Sequence, residues 1–252
     1  MDEFKTKKSF SPVEIKLFTL STGDYNWLHD SSVMKKNTIV PGRLIENFAL
    51  YHSEFLISGA AYAPKEIETK LKNKVHVREP VEVKINLEET PGGLEAAVNV
   101  NGNQKKAEIN ILYAERNINP LHNEPEDAQF FKYDPAISPL HINMFARSIF
   151  PLYRPENPPS PYLLSLSSRA IADALPREDL TPEETLVYLK NTSVLNSGSK
   201  DVKFDDSFSM EVYLKKCGSG YKAVTYGLKG DERIYSTEAV LKKVNVAKLI
   251  DK

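Results

Sequence analysis

The sequence predicts an α+β chain in which one order of elements occurs twice: a short helix, a long buried helix and an antiparallel meander. Three observations support this prediction: two helix starts of the same kind, two long apolar helical segments, and two hairpins that align without a gap. The 252 residues are enough for two small domains, each with its own core. We place the division between residues 1–127 and 128–252.

Each copy opens with a serine, a proline and then apolar residues at helical spacing. The first start is Ser11-Pro12 and the second, 127 residues later, is Ser138-Pro139. Serine is a preferred N-cap, and proline suits the first helical position. In the first copy Glu14 also completes a capping box with Ser11. The sequence therefore predicts a short helix at the start of each copy.

A longer helix is predicted in each copy, roughly over residues 42–56 and 161–175. Apolar residues cover most of the circumference of both helices. A helix of this kind must be enclosed by protein. His52 lies inside the first of them, and we interpret it as a packed core residue.

Alternating apolar and polar residues after each long helix predict strands. In the first copy the strands are expected at residues 79–87, 94–100 and 106–113, and in the second at 208–214, 222–228 and 233–241. The Asn101-Gly102 pair is a strong hairpin signal. The two predicted hairpins, 98–113 and 226–241, align at an offset of 128.

This repeated order of elements is that of a double hotdog, in which each half wraps a curved antiparallel sheet around its central helix. The two sheets are expected to join edge to edge into one continuous sheet, because such a joint protects exposed strand edges. The halves then form an intrachain pseudo-dimer, and further homo-oligomers stay open. We place the joint in residues 116–135, a polar stretch interrupted by prolines.

Composition excludes several classes of function. A net charge of −1 and 41% hydrophobic residues indicate an ordinary globular protein that binds neither nucleic acid nor acidic membranes broadly. We interpret the basic run Lys5, Lys7 and Lys8 as a solvated terminus. The single cysteine, Cys217, excludes an intramolecular disulfide and a cysteine metal cluster. Without a secretory signal or membrane segment, a cytoplasmic location is expected, and we expect no metal and no cofactor.

The first short helix leads into the sequence STGDYNWLH at residues 21–29. This stretch resembles the signature of the MaoC-like, (R)-specific enoyl-thioester hydratases and dehydratases. Their pattern is Ser/Thr-x-Gly-Asp followed by Asn-Pro-Leu/Ile-His, and Asp24, Asn26 and His29 fall on the matching positions. The resemblance of motifs covers about residues 10–50, and the remainder agrees in element order.

The resemblance implies a hydro-lyase that adds or removes water at the double bond of a trans-2-enoyl or 3-hydroxyacyl thioester of coenzyme A or acyl carrier protein. It implies that Asp24 and His29 hold the water and share the proton transfers, and that Asn26 positions the loop or the aspartate. Val40-Pro41-Gly42 matches the family's Val-His-Gly. The N–H of Gly42 would therefore stabilise the thioester oxyanion at a helix start.

The sequence departs from the family pattern at three places. Trp27 stands where the family has proline, Pro41 stands where it has histidine, and the segment between His29 and Gly42 is shorter than usual. Trp27 would reshape the loop or line the acyl pocket. We take Trp27 and Pro41, together with Asn26, as candidate substrate-binding residues.

The second copy lacks the motif, because Phe150-Pro151 stands at the position of Gly23-Asp24. Arg154 and Glu156 follow, but they supply no pair of aspartate and histidine. The resemblance therefore implies one site per chain, in the N-terminal half, with a degenerate C-terminal half that supports it.

Two other functions stay open. Hotdog thioesterases share the scaffold and often use a lone carboxylate, so hydrolysis of acyl thioesters is an alternative. A non-catalytic acyl-binding module is another, if Trp27 and Pro41 have ended catalysis. The pairing of Asp24 with His29 favours hydration. Four cationic residues could meet the phosphates of the substrate's carrier, although a solvated strand face is the commoner role: Lys70, Lys72, Lys74 and Arg78. Acyl chain length, carrier and direction of reaction stay open.

Overall fold

The computed structural model describes residues 3–57, 62–115, 120–150, 152–153, 155–176, 180–181 and 183–247. These residues form one ten-stranded antiparallel sheet and five helices. The strands are β1 (Glu3–Ser9), β2 (Ala63–Leu71), β3 (Pro80–Thr90), β4 (Gly93–Asn101), β5 (Lys105–Ala114), β6 (Gln129–Tyr133), β7 (Glu184–Leu195), β8 (Phe208–Cys217), β9 (Gly220–Lys229) and β10 (Glu232–Asn245). The helices are α1 (Pro12–Thr22), α2 (Ser31–Met34), α3 (Gly42–Leu56), α4 (Pro139–Ile149) and α5 (Ser160–Ala174).

The order of strands in the sheet is β1-β3-β4-β5-β2-β7-β10-β9-β8-β6. The five strands of the N-terminal half therefore pair with the five of the C-terminal half through β2 and β7 alone, and each strand has an equivalent across that seam. The central helices α3 and α5 have 15 residues each, and both contribute to one hydrophobic core. The predicted fold class, a double hotdog with one continuous sheet, is confirmed.

Short sequence patterns predicted the starts of the helices accurately. The N–H of Glu14 donates to Ser11 Oγ at 3.2 Å, and the N–H of Ser11 donates to the Glu14 carboxylate at 2.7 Å, so the predicted capping box is present. Ser138 caps α4 in the same way through the N–H of His141. Helix α3 has the predicted bounds, and α5 begins and ends one residue earlier than predicted. The predicted hairpins correspond to β4–β5 and β9–β10.

Four strands, β1, β2, β6 and β7, were not predicted. The basic run at the N-terminus belongs to β1, an edge strand, in which Lys5 and Lys7 are exposed as predicted and Lys8 pairs with Glu14. Lysines on an edge strand discourage pairing with another chain. Strand β6 lies inside the predicted joint, of which residues 116–119 are outside the described ranges. The division at residue 127 stays a prediction.

A buried polar network crosses the seam between β2 and β7. The Arg43 guanidinium of α3 is paired with Glu46, one turn along the same helix, and donates to Asn191 Oδ1 of β7 at 3.0 Å. The Glu46 carboxylate also accepts from Thr69 Oγ1 of β2 at 2.6 Å and from Asn191 Nδ2 at 3.2 Å. Arg43 is 7% exposed and Glu46 1%. The network therefore ties the first turn of α3 to both strands of the seam.

His52 packs among aromatic rings at the other end of α3, as predicted. Its ring centroid lies 5.7 Å from that of Phe4 and 4.4 Å from that of Phe48. Burial, and to a smaller extent the Lys8 ammonium, lowers the pKa of His52 below its ordinary value. Burial also lowers the pKa values of His76 and His122. The folded chain therefore favours the neutral form of all three imidazoles.

Glu46→Gln should lower the free energy of unfolding by about 3 kcal/mol, because it leaves the buried Arg43 guanidinium without its counter-charge. Glu89→Gln, at an exposed site on β3, is the matched control and should stay within about 0.5 kcal/mol of the wild type. Urea unfolding at pH 7.5 measures both. Equal stabilities for the two variants would show that the network does not stabilise the fold.

The free energy of unfolding should fall as the pH is lowered from 7.5 to 5.5. The folded chain holds these histidine pKa values below the unfolded value of about 6.5, so the unfolded chain binds more protons in this window and gains stability from them. His52→Phe keeps the aromatic packing and removes one titrating group, so its decline should be shallower. Urea unfolding at three pH values measures the slopes. A decline as steep as that of the wild type would contradict this role of His52.

Candidate active site

A cavity of about 670 Å³ lies where the two halves meet. One wall comes from the N-terminal half: the loop between α1 and α2, the start of α3, and residues 69 and 71–75 at the end of β2 and beyond it. The facing wall comes from α5 and from the first two thirds of β7 in the C-terminal half. Among the predicted site residues, Asp24, Asn26, Trp27, His29 and Gly42 all line this cavity.

A tight turn presents Asp24 to the cavity. Gly23 ends α1 with a φ of 72°, a left-handed conformation that glycine adopts without strain. The Gly23 carbonyl accepts the N–H of Tyr25 at 3.0 Å, which closes a three-residue turn centred on Asp24. The Asp24 carboxylate then accepts the N–H of Asn26 at 3.4 Å, a long contact that continues the turn. The backbone of this turn fixes the base of the Asp24 side chain.

Asn26 shapes the next stretch of the loop. Its Oδ1 accepts the N–H of Leu28 at 3.2 Å and so caps a short 3-10 turn over Trp27–His29. This contact agrees with the predicted role of Asn26 in positioning the loop. Trp27 begins that turn, lines the cavity and is 37% exposed.

His29 faces Asp24 through one ring nitrogen and is anchored through the other. Nδ1 lies 2.6 Å from the carbonyl oxygen of Ile39. Because a carbonyl can only accept, Nδ1 carries the proton of that hydrogen bond. Nε2 lies 3.7 Å from Asp24 Oδ2. The side chains of His29 and Asp24 are 12% and 19% exposed, so both are largely buried. Nε2 of His29 points towards Asp24 and makes no hydrogen bond to the backbone of the described residues.

The segment that anchors His29 leads directly into α3. The N–H of Ile39 donates to the Leu28 carbonyl at 2.9 Å, and the N–H of Val40 donates to the Val75 carbonyl at 2.8 Å. Pro41 then occupies the N-cap, where no side chain caps the helix. The first N–H groups of a helix have no partner within it, so the N–H of Gly42 is available at the cavity wall.

Gly42 also permits close packing at this wall. A Cβ added to Gly42 would lie 2.5 Å from Leu71 Cδ1, which is shorter than real contacts allow. Pro41 is buried and, unlike its neighbour, does not line the cavity. The proposed contact of Pro41 with substrate stays a prediction, and its observed place is that of a helix cap.

The C-terminal half contributes residues that were not predicted. Arg169 of α5 lines the cavity, and its Nη1 donates to the Gly23 carbonyl at 3.2 Å. Tyr188 of β7 lines it too, beside Ser168. Burial raises the pKa of Tyr188 to about 12, so its hydroxyl is protonated at neutral pH and can donate a hydrogen bond. The apolar wall is built largely from Ile171, Leu175, Leu180 and Leu186.

Aromatic rings fill the equivalent place in the C-terminal half. Tyr51 of α3 stacks on Phe150, with ring centroids 5.3 Å apart and planes inclined by 21°. The ring of Tyr153 lies 5.3 Å from Tyr51. Burial raises the pKa of Tyr153 to about 12. In the part of the chain that the structure describes, no aspartate and histidine meet at this place.

The structure describes only some of the residues in the loop after α4, where the sequence analysis expected no catalytic pair. Glu156 is exposed, whereas Pro151 and Arg154 lie outside the described residues. Of the cationic residues considered for the carrier, Lys72 and Lys74 line the cavity. Lys72 is also paired with Glu108 at 3.3 Å and Lys70 with Glu68 at 3.2 Å, as residues on a solvated face often are.

Sequence signals for the unpredicted residues exist but are weak. Arg43 and Glu46 are an (i, i+3) charge pair inside a helix that must be enclosed, and buried charges are normally paired. Arg169 is the one basic residue in the apolar helix α5. Tyr188 carries no comparable signal, because its strand was not predicted. No helix in the described ranges is long and apolar enough to span a bilayer.

Solved structures of similar fold were found by comparison. HtdX of Mycobacterium tuberculosis aligns with a TM-score of 0.59 at 12% sequence identity, over 96% of this chain and 100% of HtdX. A MaoC-like dehydratase from Phytophthora capsici aligns with a TM-score of 0.62 at 10% identity, over 94% of this chain and 95% of the dehydratase. An acyl-ACP thioesterase from Bacteroides thetaiotaomicron aligns with a TM-score of 0.57 at 10% identity, over 95% and 98%.

No family model matches the sequence, and no curated protein matches it significantly. The likeness to these structures lies in the fold, since the sequence identities are low. The predicted resemblance to MaoC-like proteins is therefore confirmed at the level of the fold: the chain has the double-hotdog architecture of MaoC-like dehydratases.

Proposed function

We propose that this chain is a hydro-lyase that adds water to, or removes it from, the double bond of a trans-2-enoyl or 3-hydroxyacyl thioester. One observation carries the proposal: His29 Nε2 lies 3.7 Å from Asp24 Oδ2 at the wall of a cavity that also includes the N-terminus of α3. MaoC-like dehydratases among the structures of similar fold support it.

The spacing of the pair suits a water molecule. Two acceptors 3.7 Å apart can both lie within hydrogen-bond distance of one water oxygen, which would sit beside the line that joins them. Because Nδ1 of His29 is committed to the Ile39 carbonyl, Nε2 presents a lone pair that can accept a proton from that water. The water oxygen bonds to the β-carbon, and the Asp24–His29 pair returns one proton to the α-carbon. The net change is addition of H and OH, and dehydration is the same path reversed.

Charge develops on the thioester oxygen as the β-carbon is attacked. The N–H of Gly42 is suited to receive it, because an unpartnered N–H at a helix start carries positive partial charge. The segment Ile39–Val40 connects the anchor of His29 to this helix start. The base and the oxyanion donor are thus held by one short piece of backbone.

The cavity fits an acyl chain with a polar carrier. Its apolar wall comes from the C-terminal half, where Ile171, Leu175 and Leu186 face the loop of Asp24. Lys72 and Lys74 border the same cavity and are placed where phosphates of coenzyme A or a carrier protein could meet them. The two halves would then bind a single substrate between them, which accounts for one site per chain.

Thioester hydrolysis is the second candidate, because a thioesterase shares the fold at a TM-score of 0.57. Hydrolysis needs a carboxylate to activate water against the thioester carbonyl, and Asp24 could supply it. The hydrogen bond from His29 Nδ1 to the Ile39 carbonyl directs Nε2 towards Asp24. This orientation favours hydration, in which the two groups divide two proton transfers. A binding module without catalysis would hold the acyl thioester tightly and turn over neither substrate.

Asp24→Asn and His29→Ala should each lower the rate of crotonyl-CoA hydration by about 10²- to 10⁴-fold, as loss of an acid–base group typically does. Their melting temperatures should stay close to that of the wild type, since partly exposed loop residues contribute little to the core. Glu156→Gln, in the equivalent loop of the other half, is the matched control and should retain full turnover. Loss of absorbance of the enoyl thioester measures the rate.

A parallel assay of saturated acyl-CoA hydrolysis separates the two enzyme classes. Unchanged hydration in both the Asp24 and His29 variants would overturn the proposed function. An equal loss of hydration rate in Glu156→Gln would show that the site lies in the C-terminal half instead. Hydrolysis without hydration, abolished by Asp24→Asn alone, would favour the thioesterase.

A further inference from the structure

Arg169 of α5 holds the turn around Asp24 from the opposite half of the chain. Its Nη1 donates to the Gly23 carbonyl at 3.2 Å, and that carbonyl also closes the turn by accepting the N–H of Tyr25. Its guanidinium carbon lies 5.2 Å from the centroid of the Tyr25 ring, a cation–π contact. The residues before and after Asp24 are therefore both held by one side chain.

The stem of Arg169 fills the space beneath the turn. A Cβ added to Gly23 would lie 3.3 Å from Arg169 Cγ and 3.4 Å from Cδ. A side chain at residue 23 would therefore press on Arg169 as well as strain the left-handed backbone. The turn and the arginine are packed against each other as well as hydrogen-bonded.

Arg169 is itself held in place by a residue of its own helix. Nε donates to Asp173 Oδ2 at 2.7 Å, one turn further along α5. Together with the bond from Nη1 to the Gly23 carbonyl, the planar guanidinium makes two directed hydrogen bonds. It is therefore pre-organised to fix the position of the carbonyl that it binds.

The pseudo-symmetry of the fold shows that this contact is particular to the N-terminal site. Helices α3 and α5 begin at residues 42 and 160, so Tyr51 is the equivalent of Arg169. Tyr51 stacks on Phe150, which stands where the first half has Gly23. The same place on each central helix therefore braces the other half's loop, with an aromatic stack in one case and a hydrogen-bonding cation in the other.

We propose that Arg169 is a positioning residue for Asp24. By holding the Gly23 carbonyl and the Tyr25 ring, it keeps the Asp24 carboxylate at the distance from His29 Nε2 at which both can hold one water. The C-terminal half thus supplies an essential support of the site in addition to the wall of the acyl cavity. The catalytic consequence rests on the proposed hydro-lyase function, whereas the ordering of the loop does not.

The test uses the full chain with Arg169→Met, which keeps the stem and removes the guanidinium, and Arg169→Lys, which keeps the charge and one donor. Arg147→Met, at an exposed position on α4, is the matched control. The kcat and KM for crotonyl-CoA hydration are measured with the melting temperature. Since a displacement of about 1 Å in a reacting group costs roughly 10²-fold, Arg169→Met should lower kcat far more than it changes KM. Arg169→Lys should recover part of the loss.

Trp27 supplies a readout that does not depend on activity. It is the only tryptophan of the chain and lies three residues after Asp24 on the same loop. Acrylamide quenching of its fluorescence should increase in Arg169→Met, because the loop loses its brace, and should be unchanged in Arg147→Met. Quenching in Arg169→Lys should lie between that of the wild type and that of Arg169→Met. If Arg169→Met does not fold, the comparison is made with Arg169→Lys.

The outcomes separate this proposal from the proposed function. Increased quenching in Arg169→Met with a large loss of kcat supports both. Increased quenching in Arg169→Met, when the wild type itself has no hydration activity, supports the positioning role while the proposed function fails. Wild-type kcat, KM and quenching in the Arg169 variants would overturn the positioning role. A fall in melting temperature with unchanged quenching and kcat below the transition would also overturn it, because Arg169 would then only stabilise the fold.

Discussion

The pairing of β2 with β7 is the constraint on which the rest of the molecule depends. Among the strands of the described residues, this pairing alone joins the halves into a continuous sheet. It brings Thr69 and Asn191 opposite each other. Both bind the Glu46 carboxylate, whose partner Arg43 directly follows Gly42. The position of the α3 N-terminus, and with it the available N–H, is thus set by side chains from both halves. A buried network of this kind costs desolvation but admits few alternative registers.

The residues just before α3 connect the start of this helix to His29. Residues 38–40 pair with residues 75–77 through Val40, Val77 and the bridge between Ile39 and His76, so the trimmed loop before α3 is rigid at its end. The Ile39 carbonyl then selects the protonated nitrogen of His29. This contact fixes the orientation of the ring and directs Nε2 towards Asp24. The shortened loop is therefore compatible with an ordered Asp24–His29 pair.

Sequence reasoning succeeded where the signal is local. The capping box of Ser11 and Glu14 acts within three residues, so the pattern alone predicts it. The pairing of Asp24 with His29 was implied by the family resemblance, and its catalytic role stays a prediction. Strands β2 and β7 were missed because Thr69 and Asn191 point inward to meet Glu46, and inward polar residues interrupt the alternation that indicates a strand. Arg169 acts on a turn that is 146 residues away in the chain. Only the tertiary fold brings such residues together.

The two central helices occupy equivalent positions but carry different side chains where they meet the loops. The pseudo-twofold relation makes Asn47 and Ser165 equivalent, and they hydrogen-bond to each other at 2.8 Å where the helices meet. One turn further along the helices, the equivalent residues differ in chemistry. Tyr51 stacks on Phe150 in the loop of the C-terminal half, whereas the stem of Arg169 packs against Gly23 and its guanidinium binds the Gly23 carbonyl. Stacked rings exclude water, whereas a guanidinium that binds a carbonyl supports a polar loop beside a cavity. Helix α5 of the C-terminal half therefore lies against the Asp24 turn of the N-terminal half and lines the candidate cavity.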